Sequence, residues 1–180
     1  MRGSGLICNK KIILNFALFF FLSLYLISPI YADDYKVIRG TVINIIDGDT
    51  VIIKPSGGKL FKCRLYGIDT PEIPVDGNPG QPFGRAAERK LTNLVLHTTV
   101  HATLTGDWSF GREICIVRRN GVDINREMIK HGYAWSYREF LKGPYISEYI
   151  NAEKEARKMK RGLWVQSNPQ PPWDFRARYR

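Results

Sequence analysis

Short β-prone segments separated by tight turns constrain the fold of this chain more than any other feature of its sequence. Residues 35–54 are rich in Val, Ile and Thr and are interrupted by an Asp-Gly-Asp turn over residues 47–49. An Asp-Gly pair tolerates the positive φ that tight hairpin turns need, so this stretch predicts two antiparallel strands. A second turn over residues 55–58 leads to a third strand over residues 60–67. The first half of the folded region is therefore predicted to be a three-stranded meander.

The remaining segments complete the pattern of a small barrel. Residues 71–84 hold seven Pro or Gly residues, which predicts a long surface loop. Three helices and two further strands follow, namely helix 85–96, strands 98–104 and 112–118, and helices 123–131 and 144–161. This order, β-β-β-α-β-β-α-α, predicts an α+β fold consisting of a five-stranded OB-type β-barrel with three helices.

The first 32 residues are expected to direct the chain out of the cytoplasm. A basic start without acidic residues precedes a nearly apolar stretch over residues 12–30, and Ala32 stands directly before two Asp residues. This is the pattern of a signal peptide over residues 1–32, and it predicts an exported protein, periplasmic or extracellular. An uncleaved membrane anchor stays open, because the apolar stretch approaches the ~20 residues that span a bilayer. The other predicted units are a folded domain over residues 33–165 and a Pro-rich, basic and aromatic tail over residues 166–180, which is expected to run over the surface.

The charge balance favours a polyanionic partner. The 180 residues include 27 Lys and Arg against 17 Asp and Glu, a net charge of +10. Residues 1–32 hold three basic residues and no acidic one, so the rest of the chain keeps a charge of +7. Such a balance suits nucleic acid first and an anionic membrane surface second. A zinc site is not expected, because CxxC and His-rich spacings are absent from the sequence.

Four carboxylates are expected to converge near the turn of the meander. Asp47 and Asp49 lie on the first turn, and Asp69 and Glu72 follow the third strand. These points lie on neighbouring strands, and clustered carboxylates shift one another's pKa unless a cation lies between them. Oxygen ligands without His or Cys favour Ca²⁺ or Mg²⁺, and the carbonyl of Thr70 could add a ligand. Each segment taken alone is more often an ordinary turn or loop start.

Two arginines indicate what such a carboxylate cluster would act on. Arg64 lies five residues before Asp69, and Arg112 begins a later strand. A guanidinium group presents a planar fork that matches two phosphate oxygens. A hard cation, two such forks and a spare carboxylate are the parts needed to hydrolyse a phosphodiester. Taken singly, each arginine is better explained as a solvated strand residue with a packed stem.

Three segments in this order resemble the staphylococcal nuclease family, also called thermonucleases. The segments are residues 46–50, 64–72 and 107–112, and the resemblance runs from about Val37 to Trp164. It implies a Ca²⁺-dependent endo- and exonuclease that hydrolyses DNA and RNA between phosphorus and the 5′ oxygen and leaves 3′-phosphate ends. It implies nucleic acid as the substrate, no stable protein partner and a monomeric protein.

The resemblance also implies a role for each residue of the predicted site. The calcium ligands would be the carboxylates of Asp49 and Asp69 and the carbonyl of Thr70. Glu72 would act as general base or would orient the attacking water. Arg64 and Arg112 would bind the phosphate, and Asp47 would be a nearby acidic residue that does not touch the metal.

The segment before Arg112 departs from the family pattern. The family commonly has Asp-x-Tyr-Gly-Arg there, whereas this chain has one additional residue and Phe110 in the position of the Tyr. Phe110 cannot donate a hydroxyl hydrogen bond to a phosphate, but it can stack on a base. Phe110 is therefore a candidate substrate contact, and Tyr137 is a second candidate.

Side-chain parity predicts where the two remaining cysteines point. Cys63 is one residue from Arg64, and Cys115 is three residues from Arg112. Odd offsets on a strand point to opposite faces. If both arginines face the substrate, both thiols face the barrel interior, either as free thiols or as one disulfide.

Two other functions remain open from the sequence. An OB-type barrel can bind single-stranded nucleic acid without catalysis, and a fold alone does not determine a function. The apolar N-terminal stretch and the basic C-terminus would also suit a protein that binds anionic lipid.

Overall fold

The computed structural model describes residues 35–75, 77 and 79–178, and the predicted signal peptide or anchor over residues 1–32 lies outside them. The strands are β1 (Val37–Ile45), β2 (Thr50–Pro55), β3 (Phe61–Leu65), β4 (Ile68–Asp69), β5 (Thr99–Ser109), β6 (Arg112–Arg119), β7 (Val122–Asp123) and β8 (Trp135–Ser136). The helices are α1 (Gly84–Val95), α2 (Ile124–Lys130), α3 (Tyr145–Lys158) and α4 (Pro172–Arg178), with 3₁₀ turns at Arg138–Phe140 and Gly162–Val165. None of these helices is long and apolar enough to cross a membrane.

The long strands form one sheet that closes on itself. Antiparallel pairs join β1 to β2, β2 to β3, β1 to β5 and β5 to β6. A parallel pair between β3 and β6 then joins the two ends of the sheet and sets Arg64 opposite Ile114. The predicted α+β class and OB-type barrel are confirmed, with the five long strands and the first three helices in the predicted order.

The helices bury one face each against the barrel. On α1, Ala87, Leu91 and Val95 recur every fourth residue and are fully buried. Spacing of this kind places side chains on one face of a helix, and burial of each Leu or Val contributes about 1.5–3 kcal/mol. The Asp123 carboxylate caps α2 by accepting a hydrogen bond from the Arg126 N–H at 2.9 Å. The packed helices hold the loops that build the site.

The two cysteines lie inside the barrel, as parity predicts. Cys63 and Cys115 are fully buried on β3 and β6, and both are free thiols. Burial raises the pKa of the Cys63 thiol well above its usual value. The Cys63 thiol is therefore a poor nucleophile, and Arg64 and Arg112 on the same two strands line the cavity described below.

The C-terminal tail differs from its prediction. It forms the helix α4, with Phe175 buried, where the sequence predicts an irregular run over the surface. The ring of Trp173 stacks on Tyr137 with 5.2 Å between centroids, and meets Trp135 edge-on at 5.6 Å. Aromatic packing therefore attaches the tail to the domain, which local sequence patterns do not reveal.

Candidate active site

The turn between β1 and β2 is fixed by its own side chains and by close packing. The Asp49 N–H donates to Asp47 Oδ1 at 2.9 Å. A Cβ placed on Gly48 would lie 2.7 Å from Thr70 Oγ1 and 2.8 Å from the Cβ of Ala87. Only glycine fits at this approach, so the turn packs directly against α1 and against the segment after β4. Burial raises the pKa of the Asp47 carboxyl, and the charge of Arg64 opposes this rise.

Asp49 and Thr70 are in direct contact, although 21 positions separate them in the chain. Asp49 Oδ2 accepts hydrogen bonds from the Thr70 N–H at 2.9 Å and from the Thr70 hydroxyl at 2.8 Å. Both residues are buried. Two of the three predicted calcium ligands are thus held together by the fold itself.

Arg64 joins the two buried carboxylates. Its Nη1 pairs with Asp49 Oδ1, and its Nη2 pairs with Asp69 Oδ1 at 2.8 Å. Burial lowers the pKa of Arg64, and the charges of Asp69 and Asp47 oppose that change. Because one guanidinium spans both carboxylates, the predicted convergence of the first turn and the end of β3 is present in the structure.

Glu72 is held through its backbone at the neck of the long loop. The Gln81 N–H donates to the Glu72 carbonyl at 2.8 Å, and the Glu72 N–H donates to Gln81 Oε1 at 3.0 Å. A Cβ on Gly84 would collide with the same Glu72 carbonyl, so the start of α1 also rests against this residue. The backbone is fixed while the side chain keeps 30% of its surface exposed. Such a carboxylate can contact both water and a bound substrate.

Arg112 enters the site from the start of β6. Its Nε donates to the Ser109 carbonyl at 3.1 Å, and its Nη1 lies 3.5 Å from the Thr50 hydroxyl oxygen. Within the residues that the structure describes, it forms no ion pair with a carboxylate within 4.0 Å, in contrast to Arg64. Its charge is therefore available to a phosphate.

One cavity of about 710 Å³ collects all the residues predicted for the site. Its lining includes Asp49, Arg64, Asp69, Thr70, Glu72, Phe110, Arg112 and Tyr137. Phe110 lies at the tip of the β5–β6 hairpin and is 92% exposed, whereas Tyr137 is partly covered by Trp173. The structure thus gathers the groups that the sequence assigned to one site, and their chemical roles stay predictions.

Arg176 is a site residue that the sequence analysis missed. From α4, its Nη2 donates to Asp69 Oδ2 at 2.8 Å, and its Nη1 donates to Asp69 Oδ1 at 3.1 Å and to Glu72 Oε1 at 2.6 Å. Burial acts to lower the pKa of Arg176, but the hydrogen bonds and charges of Asp69 and Glu72 outweigh it and raise the pKa. The basic composition of the tail was the only signal, and it does not distinguish Arg176 from Arg178.

The donor chemistry at the carboxylates suits a hard cation. In the described part of the chain, no three His, Cys, Asp or Glu side chains are grouped as a metal site. Asp49 and Asp69 nevertheless supply two buried carboxylates, and the hydroxyl oxygen of Thr70 lies 2.8 Å from Asp49 Oδ2. An all-oxygen set of this kind favours Ca²⁺ or Mg²⁺ over transition metals.

The fold and the site together define a class of protein, an OB-type barrel that brings acidic and arginine side chains into one cavity. A family model described as "Staphylococcal nuclease homologue" matches residues 62–166. The chain belongs to the staphylococcal nuclease family, and the resemblance seen in the sequence is confirmed.

Relatives in several bacteria cover most of the chain. It is 33% identical over 135 residues to a protein of Haemophilus influenzae named "Uncharacterized endonuclease", covering 75% of this chain and 71% of that one. It is 34% identical over 142 residues to an "Uncharacterized endonuclease" of Escherichia coli O157:H7, covering 78% and 86%. It is 33% identical over 157 residues to a "Micrococcal nuclease" of Shigella flexneri, covering 82% and 83%.

Proposed function

We propose that this protein is a calcium-dependent nuclease that hydrolyses phosphodiester bonds of DNA and RNA and leaves 3′-phosphate ends. The observation that carries the proposal is the convergence of Asp49, Asp69, Glu72, Arg64 and Arg112 on one cavity. The names of the relatives, endonuclease and micrococcal nuclease, support nuclease activity. The positive charge of the chain suits a nucleic acid substrate.

The cation site and the two arginines would bind the phosphate together. Asp49, Asp69 and Thr70 would hold Ca²⁺, which when bound supplies positive charge that polarises a phosphate oxygen. Among the described residues no carboxylate pairs with Arg112, and a guanidinium fork matches the oxygens of a phosphate. Arg64 is held in place by Asp49 and Asp69 and adds a second donor to the same cavity. Donors fixed before the reaction stabilise the charge that develops on the phosphate oxygens.

Glu72 would act on the water molecule. Its exposed carboxylate accepts a proton from water as the water oxygen bonds to phosphorus, and the bond between phosphorus and the 5′ oxygen breaks. The leaving 5′ oxygen takes a proton from solvent, and the phosphate stays on the 3′ oxygen. The fixed Glu72 backbone supports this role, because general bases act only within hydrogen-bond reach of the proton they remove.

Digestion of plasmid DNA and of RNA, with calcium or with a chelator, tests the proposal. Glu72→Gln keeps the side-chain shape but removes the base, and we expect turnover to fall at least ~10²-fold with folding intact. Arg112→Ala should lower turnover on the same scale of ~10²-fold or more. Glu139→Gln, an exposed carboxylate at the same cavity, is the matched control.

The outcomes separate the parts of the proposal. Activity that survives chelation would exclude calcium dependence, and full activity of Glu72→Gln would exclude its role as base. Binding of nucleic acid without cleavage would favour the non-catalytic alternative. Products whose 3′ ends can be extended by a polymerase without prior phosphatase treatment would contradict 3′-phosphate ends.

A further inference from the structure

Helix α4 places a cationic group on the carboxylates that the proposed reaction needs. Arg176 donates to both oxygens of Asp69 and to one oxygen of Glu72, at distances between 2.6 and 3.1 Å. Short hydrogen bonds between two charged groups are among the stronger polar contacts in proteins. The same oxygens of Asp69 are the proposed cation ligands, and the Glu72 carboxylate is the proposed base.

The rest of the C-terminal segment is packed so that Arg176 reaches this position. Trp173 stacks on Tyr137, and Phe175 is buried. The Gln81 side chain, which accepts from the Glu72 N–H, also donates to the Gln170 carbonyl at 3.0 Å. The segment therefore covers two carboxylates of the site together with Tyr137, a candidate substrate contact.

The attachment of α4 is small enough to be reversible. The helix has seven residues, and Asp174, Ala177 and Arg178 are exposed on its outer side. In the described structure it is attached through the buried Pro172 and Phe175, the Trp173 ring and the ion pairs of Arg176. Short terminal segments with few buried side chains are the parts of a protein that open most readily.

We propose that α4 is an occluding segment, in which Arg176 competes with a divalent cation for Asp69 and Glu72 and leaves them when the cation binds. This proposal rests on the proposed function. Arg64 pairs with Oδ1 of Asp69, whereas Arg176 also holds Oδ2 at 2.8 Å, so a divalent cation bound at Oδ2 would meet the like charge of the Arg176 guanidinium at short distance. Because the cation would bind only molecules in which Arg176 has left Asp69, removing Arg176 must tighten the apparent binding of the cation, by about 5-fold or more where at most about a fifth of the molecules are open.

Calorimetric titration of the full chain with Ca²⁺ tests the proposal without any activity assay. We expect Arg176→Ala to bind Ca²⁺ at least about 5-fold more tightly than the wild type. Arg178→Ala removes the same charge from an exposed position of the same helix, so its affinity should equal that of the wild type. Ca²⁺ should also change tryptophan fluorescence in the wild type as Trp173 leaves Tyr137, and Trp173→Phe should abolish this change.

Each outcome bears on the proposal. Equal affinity of the wild type and Arg176→Ala would overturn it, even if the protein proves to be an active nuclease. An equal gain in Ca²⁺ affinity for Arg178→Ala would overturn the proposal as well, because the gain would then come from net charge alone. Tighter Ca²⁺ binding by Arg176→Ala in a chain that cleaves no nucleic acid would support occlusion and remove the proposed function. Should Arg176→Ala not fold, Arg176→Gln tests the same competition with a longer neutral side chain.

Discussion

Replacing Arg64 is expected to destabilise the fold more than replacing Arg112. Arg64 is buried to all but 13% of its side chain and pairs with two buried carboxylates, Asp49 and Asp69. Removing one partner of a buried ion pair leaves uncompensated charge and typically costs about 3–5 kcal/mol. Within the described residues the hydrogen bonds of Arg112 go to neutral oxygens, so Arg112→Ala should cost about 0.5–1.5 kcal/mol. Arg64→Ala should therefore be far less stable than Arg112→Ala.

Urea unfolding in the presence of a chelator measures this difference. For a domain of this size the urea dependence is about 2 kcal/mol/M, so Arg64→Ala should lower the unfolding midpoint by about 1.5–2.5 M. Adding Asp49→Asn to Arg64→Ala removes the charge that the loss of Arg64 leaves uncompensated, because Arg176 still pairs with Asp69. The double variant should thus be more stable than the sum of the two single changes predicts, by about 0.5–3 kcal/mol.

The result that would refute this reasoning is a small midpoint shift for Arg64→Ala, under about 0.5 M. Equal losses of unfolding free energy for Arg64→Ala and Arg112→Ala would refute this reasoning too. Either result would mean that the carboxylates of Asp49 and Asp69 do not depend on Arg64 for their burial.

Two further predictions concern the turn and the cap of α2. Gly48→Ala would place a methyl group 2.7 Å from Thr70 Oγ1, so we expect the free energy of unfolding to fall by about 1–3 kcal/mol. The control is Gly57→Ala, because the added Cβ there would meet no described atom within 4 Å. Equal stability of the two variants would contradict the packing argument. Burial raises the pKa of Asp123 in the folded protein above its unfolded value, so its contribution to stability is present at low pH and is lost as the pH rises above about 4. Asp123→Asn should remove this part of the pH dependence, which urea midpoints between about pH 3.5 and 7 measure; an unchanged slope would contradict it.

The sequence predicted the parts of the fold that neighbouring residues determine. The Asp-Gly turn and the β-branched residues around it indicated β1 and β2, and the spacing of apolar residues indicated α1 within one residue of its observed ends. The family resemblance then identified the acidic and arginine residues that the barrel brings together. All of these signals lie within short segments, so they can be recognised in the sequence without knowledge of the packing.

The position of Arg176 could not be predicted, because it depends on contacts between distant segments. It reaches Asp69 across 107 positions, and only the packing of Trp173 on Tyr137 and of Phe175 against the domain selects it over Arg178. The sequence alone does not distinguish Arg176 from the other basic residues of the tail. Pairing of the short strands β4 and β8 likewise joins segments far apart in the chain and has no local signal.

Arg64 and Arg112 lie on β3 and β6, the two strands whose parallel pairing shuts the barrel. About 50 positions separate the paired residues, and contacts between such distant segments form late because closing a long loop costs chain entropy. A polypeptide still emerging from the ribosome holds one arginine without the other, and it has no cleft between them. The cavity that holds both arginines therefore exists only in a chain that has been made at least as far as β6 and has closed the barrel.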